Sequence, residues 1–168
     1  PLIRVADTHA ALGQLAAFWR QQFSLPVAGI TGSNGKTSVK EMVAAILNAA
    51  VGEDQVLATR GNLNNDIGMP LTLLRLRAQH RYAVLEMGMN HLGEIAYLSR
   101  LAQPNVTVIN NAQAAHLEGL GDVATVTRAK GEIFEGLPAD GIAVINADDA
   151  HADMWRQLAS DRKRIEFG

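Results

Sequence analysis

Cysteine is absent from the 168-residue sequence, which excludes disulfide frameworks, thiolate metal sites and cysteine nucleophiles. No apolar run approaches the roughly 20 residues that cross a bilayer, and the N-terminus lacks the layout of a signal peptide. Neither sign of charge is in excess, because 15 basic and 17 acidic side chains nearly cancel and form no basic run. The composition, 48% apolar, indicates a globular protein without membrane insertion or a nucleic-acid partner, and the missing cysteines suit a reducing cytoplasm.

Short β-branched segments alternate with segments of helical period, which is typical of βαβ units in a parallel sheet. The predicted strands are residues 26–31, 55–59, 82–86, 105–110, 141–146 and 164–167. The predicted helices include residues 8–23, 36–50 and 122–137. We therefore expect an α/β fold with an open, mostly parallel sheet and helices on both faces. Because the chain begins at Pro1 without a methionine and ends on a predicted strand, we expect a piece of a longer protein.

A glycine-rich turn, GSNGKT, follows the first predicted strand and precedes a predicted helix. Its glycines let backbone N–H groups face phosphate oxygens, while the lysine supplies positive charge and the threonine hydroxyl can bind Mg²⁺. The generic phosphate-loop pattern requires glycine at position 30, where this chain has Ile30. The turn thus predicts a phosphate site that departs from the generic spacing at one position. The candidate cofactor-binding residues are Gly32, Ser33, Asn34, Gly35, Lys36, Thr37 and Ser38.

Two further polar residues follow predicted strands whose carboxyl ends share one edge of the sheet. Glu86 ends the strand YAVLE, and His116 comes shortly after the strand NVTVIN. Phosphate-loop enzymes place an acidic Mg²⁺ ligand at such a strand end, and an imidazole there is a second candidate ligand. Each residue could instead lie on the solvated rim, and the sequence leaves both alternatives open.

Lys130 falls on the apolar face of the predicted helix 122–137, four residues after Val126 and three before Ile133. Most lysines at such positions extend the amine to solvent. A buried lysine would have a lowered pKa and a neutral amine able to act as a base, a nucleophile or a site for CO₂ addition. The spacing places Lys130 inward but does not choose between these alternatives.

The segment GNLNNDIGMP, residues 61–70, is rich in amide side chains and glycine. Such residues are ordinary turn formers. They are also neutral donors and acceptors suited to a polar substrate beside phosphate. We therefore treat Asn62, Asn64 and Asn65 as candidate substrate-binding residues.

Together these motifs resemble the Mur ligase family, the ATP-dependent amide-forming enzymes of peptidoglycan synthesis. The family's phosphate loop, T-G-x-x-G-K-[ST], matches residues 31–37 and accounts for the glycine spacing. GNLNNDIGMPLTLL, LEMGMNHLGEI, NNAQAAHLEGLG and AKGEIFEGL look like the member that adds D-Ala-D-Ala to UDP-MurNAc-tripeptide. The resemblance implies that residues 26–168 are part of a phosphate-loop NTPase-like central domain. Residues 1–25 would then be a linker helix or the end of an N-terminal domain, and the C-terminal domain would be absent.

The resemblance also implies roles for individual residues. Lys36 and Thr37 would hold the ATP phosphates and one Mg²⁺, with Glu86 completing that metal site. His116 and Lys130, the latter as a carbamate, would bind a second Mg²⁺. ATP would phosphorylate the terminal carboxylate of the tripeptide, and the amine of D-Ala-D-Ala would attack the acyl phosphate. Lys36, His116 and Lys130 would thus be catalytic residues of a bacterial cytoplasmic enzyme, which we expect to be monomeric and nearly inactive as this piece alone.

Two other functions fit part of the pattern. A related ATP-dependent ligase, of the folylpolyglutamate synthase or cyanophycin synthetase type, would share the loop and the lysine but not the substrate. A nucleotide-binding module without catalysis would use Lys36 for phosphate and leave Glu86, His116 and Lys130 with structural roles. A dehydrogenase-type dinucleotide domain fits poorly, because GSNGKT carries a lysine where that fingerprint needs glycine.

Overall fold

The computed structural model describes residues 2–113 and 122–168, so His116 lies outside the described residues. The described strands form one sheet in the order β2-β3-β1-β4-β5-β6, and every pairing in it is parallel. Their bounds are β1 Val27–Thr31, β2 Val56–Ala58, β3 Tyr82–Glu86, β4 Val106–Ile109, β5 Ile142–Asn146 and β6 Lys163–Phe167. The predicted α/β class is confirmed, and the strand bounds differ from the predicted ones by at most one residue at either end.

Helices connect consecutive strands of the sheet. Parallel strands require this, because the chain must cross over one face of the sheet between the end of one strand and the start of the next. Their bounds are α1 Thr8–Arg20, α2 Lys36–Val51, α3 Gly68–Leu73, α4 Glu94–Ala102, α5 Val123–Gly131 and α6 Ala152–Leu158. Short 3₁₀ helices cover Glu53–Gln55 and Glu132–Gly136. In the described ranges, no helix combines the length and the apolar character that crossing a membrane requires.

The helix predicted over residues 122–137 is wrong in its second half, where the α-helix ends at Gly131 and a 3₁₀ helix follows. Ser99 on α4 explains the change. Its hydroxyl donates to the carbonyl of Ile133 and accepts the N–H of Gly136 at 3.1 Å. The Ser99 hydroxyl thereby occupies the Ile133 carbonyl, which would accept the N–H of Leu137 in an α-helix. The N–H of Leu137 donates to the carbonyl of Phe134 instead.

Both faces of the sheet carry an apolar core, as the predicted architecture requires. On one face, Ala44 of α2 packs with Ile30 and Val84. The larger core on the other face gathers buried side chains from α1, α3, α4, α5 and α6, including Ile95 and Trp155. The strand ends that face the loops are thereby fixed in position from both sides.

Helix α1 is attached to the larger core by Arg20, whose side chain is buried. The guanidinium donates to the carbonyls of Ala102 at 2.8 Å and Phe23 at 2.6 Å. At its other end, the Asp7 side chain caps the helix by accepting the N–H groups of His9 and Ala10. The predicted domain boundary near residue 25 stays a prediction, although α1 packs closely on the sheet domain.

Candidate nucleotide and metal site

The turn between β1 and α2 has the shape that a phosphate ligand needs. Gly35 has a φ of 75° and immediately precedes α2. This positive φ favours glycine, and a Cβ at Gly35 would also lie 2.8 Å from Nδ2 of Asn110, which would have to move. Among the described residues, no side chain caps the N-terminus of α2, and its first N–H groups are available to an anion.

An open cleft of about 400 Å³ lies beside this turn at the carboxyl ends of β1 and β3. It is lined by the predicted cofactor-binding residues from Ser33 to Ser38, by Asn64, Asn65 and Glu86, and by Asp66, Asn90 and Glu94, which the sequence did not single out. Asn62 and Gly32 are not among the lining residues. The structure therefore brings most of the candidate residues from three separate segments to one place.

The Lys36 side chain folds back over its own loop. Its Nζ donates to the carbonyl oxygens of Gly32 at 2.9 Å and Ser33 at 3.2 Å. Burial lowers the pKa of Lys36, and the negative charge of Glu86 partly opposes that shift. The loop thus holds a positive charge beside the cleft before any phosphate is bound.

Glu86 is the buried carboxylate of the cleft, with 2% of its surface exposed. One oxygen accepts the Thr37 hydroxyl at 2.9 Å, and the other accepts Nδ2 of Asn64 at 2.8 Å. The backbone N–H of Glu86 donates to the Thr59 hydroxyl at 3.0 Å. Both side-chain donors are neutral, so these contacts orient the carboxylate without cancelling its charge.

Thr37 and Glu86 together form a donor set that suits Mg²⁺, which prefers oxygen ligands. In residues 2–113 and 122–168, no group of three or more histidine or acidic side chains is close enough to hold a metal ion. Mg²⁺ is commonly held by one or two protein oxygens together with phosphate oxygens and water. One carboxylate and one hydroxyl beside a phosphate loop therefore fit this ion better than a closed, all-protein metal site.

Lys130 on α5 is buried, with 2% of its surface exposed. Burial, the larger cause, and the positive charge of Lys36 together lower the pKa of its amine from 10.5 to about 7. The inward orientation predicted from spacing is confirmed, and the alternative of an amine extended into solvent is not what the structure shows. At pH 7, about half of the Lys130 side chains would carry an uncharged amine, and the uncharged amine is the reactive form.

The three asparagines of the loop before α3 occupy different positions. Asn64 orients Glu86, and its backbone oxygen accepts the N–H of Gly88 at 2.9 Å. The Asn65 side chain accepts the N–H of Gly68 at 2.8 Å and so holds the start of α3. Asn62 is exposed and outside the cleft. Substrate binding by these residues stays a prediction.

Sequence reasoning gave no role to Asn110, Asn111 and Gln113, which contact the phosphate loop directly. It also missed Glu132, whose carboxylate accepts the N–H of Gly93 at 2.8 Å and thereby connects the end of α5 to the start of α4. The density of amide side chains singled out Asn62, Asn64 and Asn65 in the segment 61–70, and amide side chains are equally dense at residues 110–113.

Comparisons with known proteins agree with this geometry. The Mur ligase middle domain matches residues 30–168. Over 167 residues, the chain is 53% identical to the UDP-N-acetylmuramoyl-tripeptide--D-alanyl-D-alanine ligase of Escherichia coli strain K12, with 99% of this chain and 36% of that protein covered. The chain spans about a third of the length of the curated relatives that it matches.

Two solved structures resemble the whole described fold. A crystal structure of MurF from Acinetobacter baumannii has a TM-score of 0.95 and 44% identity, with 99% of this chain and 36% of that chain covered. MurF ligase from Thermotoga maritima, in complex with ADP, has a TM-score of 0.88 and 34% identity, with 99% and 38% covered. The similarity therefore extends through sequence, fold and the elements that form the cleft.

Proposed function

The chain belongs to the Mur ligase family, and we propose that it is part of the ATP-binding domain of an enzyme that joins D-Ala-D-Ala to UDP-MurNAc-tripeptide. The observation that carries this proposal is the contact between Thr37 and Glu86 beside an open phosphate loop. The buried Lys130 amine lies close enough to Lys36 for the positive charge of Lys36 to lower its pKa. Identity of 53% to a ligase named for these substrates supports the same assignment.

The proposed reaction has two steps, and both need anions to be brought together. The terminal carboxylate of the tripeptide attacks the γ-phosphorus of ATP, and ADP leaves. The neutral amine of D-Ala-D-Ala then attacks the acyl carbon, and the amide bond forms as the acyl C–O bond breaks. Inorganic phosphate leaves, and the proton that the nitrogen loses ends on phosphate or solvent. Positive charge and N–H donors at the phosphates offset the repulsion between the carboxylate and the triphosphate.

Lys36 and the N-terminus of α2 are the parts of this chain that would bind the phosphates. The Lys36 ammonium would exchange its two loop carbonyls for phosphate oxygens, a short movement of a flexible side chain. Thr37 and Glu86 would hold Mg²⁺, which supplies charge that stabilises the transferring phosphoryl group when it is bound. Asn64 would hold the Glu86 carboxylate in place through one of its two oxygens.

We infer that the neutral amine of Lys130 adds CO₂ and loses a proton, which converts the side chain into an anionic carbamate. Burial favours this step, because it keeps a large share of the amine neutral near pH 7. The carbamate would lie near the Lys36 ammonium, so an unfavourable pair of like charges would become a favourable pair of opposite charges. A carbamate oxygen and His116 are the proposed ligands of a second Mg²⁺, and His116 lies outside the described residues.

Several expectations about the whole protein remain part of the proposal. Residues 1–25 would be the end of a preceding domain or a linker helix, and the enzyme would work as a monomer in the bacterial cytoplasm. Because the relatives are roughly three times as long as this chain, residues outside it would complete the substrate sites. We therefore expect little ligase activity from this piece alone.

The decisive experiment is a ligase assay with the full-length protein. UDP-MurNAc-tripeptide, ATP and Mg²⁺ are combined with D-Ala-D-Ala, with D-Ala or with L-glutamate, and both ADP and the peptide product are measured. We expect ADP release and a pentapeptide product only with the dipeptide. A parallel assay replaces the tripeptide with a folate acceptor, and glutamate addition there would instead support the related ligase. Nucleotide binding without ADP release under any condition would support a non-catalytic module.

A further inference from the structure

The phosphate loop is attached to the segment that follows β4, residues 110–113. Asn111 holds both backbone groups of Asn34: its Oδ1 accepts the Asn34 N–H at 2.9 Å, and its Nδ2 donates to the Asn34 carbonyl at 3.1 Å. Nδ2 of Asn110 donates to the same carbonyl at 2.8 Å. Two amide donors thus keep this oxygen on the side of the segment 110–113, and an oxygen held there is not directed at a phosphate.

Gln113 makes a second set of contacts with the same loop. Its Oε1 accepts Nδ2 of Asn34 at 2.6 Å. Its backbone N–H donates to the Ser33 hydroxyl at 2.9 Å, and that hydroxyl donates to the Gln113 carbonyl at 3.1 Å. The Asn34 side chain is therefore engaged by Gln113, although its position in the loop suggested a contact with the cofactor.

The segment 110–113 is itself fixed to the next strand of the sheet. Nδ2 of Asn146, at the end of β5, donates to the Asn110 carbonyl at 2.9 Å. The N–H of Ala112 donates to the Asp149 carboxylate at 2.8 Å. The sheet and the phosphate loop are thus joined through four amide side chains, those of Asn146, Asn110, Asn111 and Gln113, and amides carry no charge at any physiological pH.

We propose that Asn111 and Gln113 are positioning residues for nucleotide binding, and that the Asn34 side chain serves this attachment instead of contacting phosphate. The proposal rests on the proposed function only in taking a nucleotide as the ligand of the loop. Without the Asn111 side chain, the Asn34 N–H loses its acceptor and the Asn34 carbonyl keeps only the Asn110 donor, so the loop is held less firmly and must be ordered further when a nucleotide binds. The free energy spent on ordering the loop would weaken nucleotide binding and would leave the rate of the chemical step unchanged.

The expected effects differ among the three residues in a way that a general loss of stability would not produce. Asn111→Ala should weaken Mg-ADP binding about tenfold, because two neutral hydrogen bonds that order the loop are lost. Gln113→Ala and Asn34→Ala should each weaken it about threefold, and the double variant should be no weaker than either single one. If Asn34 and Gln113 act only through the hydrogen bond between their side chains, either substitution removes that bond, and the second substitution removes nothing more.

Asn105→Ala is the matched control, because Asn105 lies at the opposite end of the same pair of strands. Its Oδ1 accepts the N–H of Val27 at 3.0 Å, so it fixes the start of β1 as Asn111 fixes the loop after β1. This variant should lower the unfolding temperature to a similar extent and leave the Mg-ADP dissociation constant within about twofold of wild type.

The experiment is titration calorimetry of the full-length protein and its variants with Mg-ADP, accompanied by thermal unfolding and by kcat and KM for ATP. Support requires that Asn111→Ala raises the dissociation constant and the KM for ATP while kcat at saturating ATP stays within about threefold. Equal affinity for Asn111→Ala and Asn105→Ala would overturn the role of Asn111. Additive losses for Asn34→Ala and Gln113→Ala would show that Asn34 touches the nucleotide, which would overturn its assignment.

Two further outcomes are also decisive. If Asn111→Ala fails to fold, the Asn34 and Gln113 variants decide the proposal. Gln113→Ala is expected to fold, because it keeps both hydrogen bonds between the Gln113 backbone and the Ser33 hydroxyl. If the wild-type protein itself does not bind Mg-ADP, the proposed function fails, and with it the premise of the inference. Normal wild-type binding that none of the three substitutions alters would overturn the inference alone.

Discussion

The phosphate loop and helix α5 each present a lysine of the proposed site, but they control it by opposite means. Lys36 is half-buried, and two loop carbonyls fix the position of its ammonium. Lys130 is almost fully buried on a helix whose inward residues include Val126 and Ala129, and burial controls the protonation of its amine. Hydrogen bonds to carbonyls fix the position of the Lys36 ammonium, whereas burial determines whether the Lys130 amine is charged. Substitutions in the two regions should therefore damage different steps.

The largest expected effect tests the loop. Lys36→Ala should weaken Mg-ADP binding about a hundredfold or more, because the ammonium is the charged group of this chain placed to meet the phosphates. The unfolding temperature should change little, since within residues 2–113 and 122–168 the hydrogen bonds of the Lys36 amine are with carbonyls of its own loop. Calorimetric titration of the full-length protein measures the loss. Lys163→Ala, which removes an exposed lysine on β6, is the control and should bind normally. Unchanged affinity in Lys36→Ala would remove the phosphate-binding assignment.

The second effect tests the lysine of α5. Lys130→Ala should lower the ligase rate about a hundredfold while Mg-ADP affinity stays within about threefold, because the carbamate is proposed to act on chemistry and not on nucleotide binding. A short carboxylate such as formate should restore part of the rate by supplying the missing anion. Lys130→Arg should remain inactive, since a guanidinium keeps its charge and cannot take up CO₂. Full activity of Lys130→Arg would contradict the carbamate.

A third effect distinguishes positioning from substrate binding in the loop before α3. Glu86→Gln should raise the Mg²⁺ concentration for half-maximal rate about tenfold, because a charged oxygen ligand becomes a neutral one. Asn64→Ala should raise it about threefold, since Glu86 would lose one of its two orienting donors. The KM for UDP-MurNAc-tripeptide should change less than the Mg²⁺ requirement. A change in that KM alone would instead favour the substrate-binding role predicted for Asn64.

The sequence was sufficient to predict the features that depend on local pattern. The strand bounds followed from β-branched runs, and the inward direction of Lys130 followed from its spacing to Val126 and Ile133. Contacts between distant segments could not be derived in this way. Residues 33–34 and 110–113 meet because β1 and β4 are neighbours in the sheet, which no spacing along the chain encodes. The early end of α5 has the same kind of cause, because it depends on a hydroxyl of α4.

The last expected effect concerns stability and measures the cost of burying Lys130. Its pKa is about 7 in the folded protein and 10.5 ordinarily, so between these pH values the unfolded chain binds more protons than the folded one. Stability should therefore rise with pH in this window, by about 1 kcal/mol between pH 7.5 and 8.5, and the rise should end near pH 10.5. Lys130→Met fills a similar volume without a titrating group, so its urea-unfolding free energy should lack this rise. The comparison is made in CO₂-free buffer, because a carbamate would replace the titrating amine. Lys163→Met, at an exposed position, should retain the slope of the wild type. An equal slope in wild type and Lys130→Met would mean that burial does not control this amine, and the contrast between the two lysines would then be wrong.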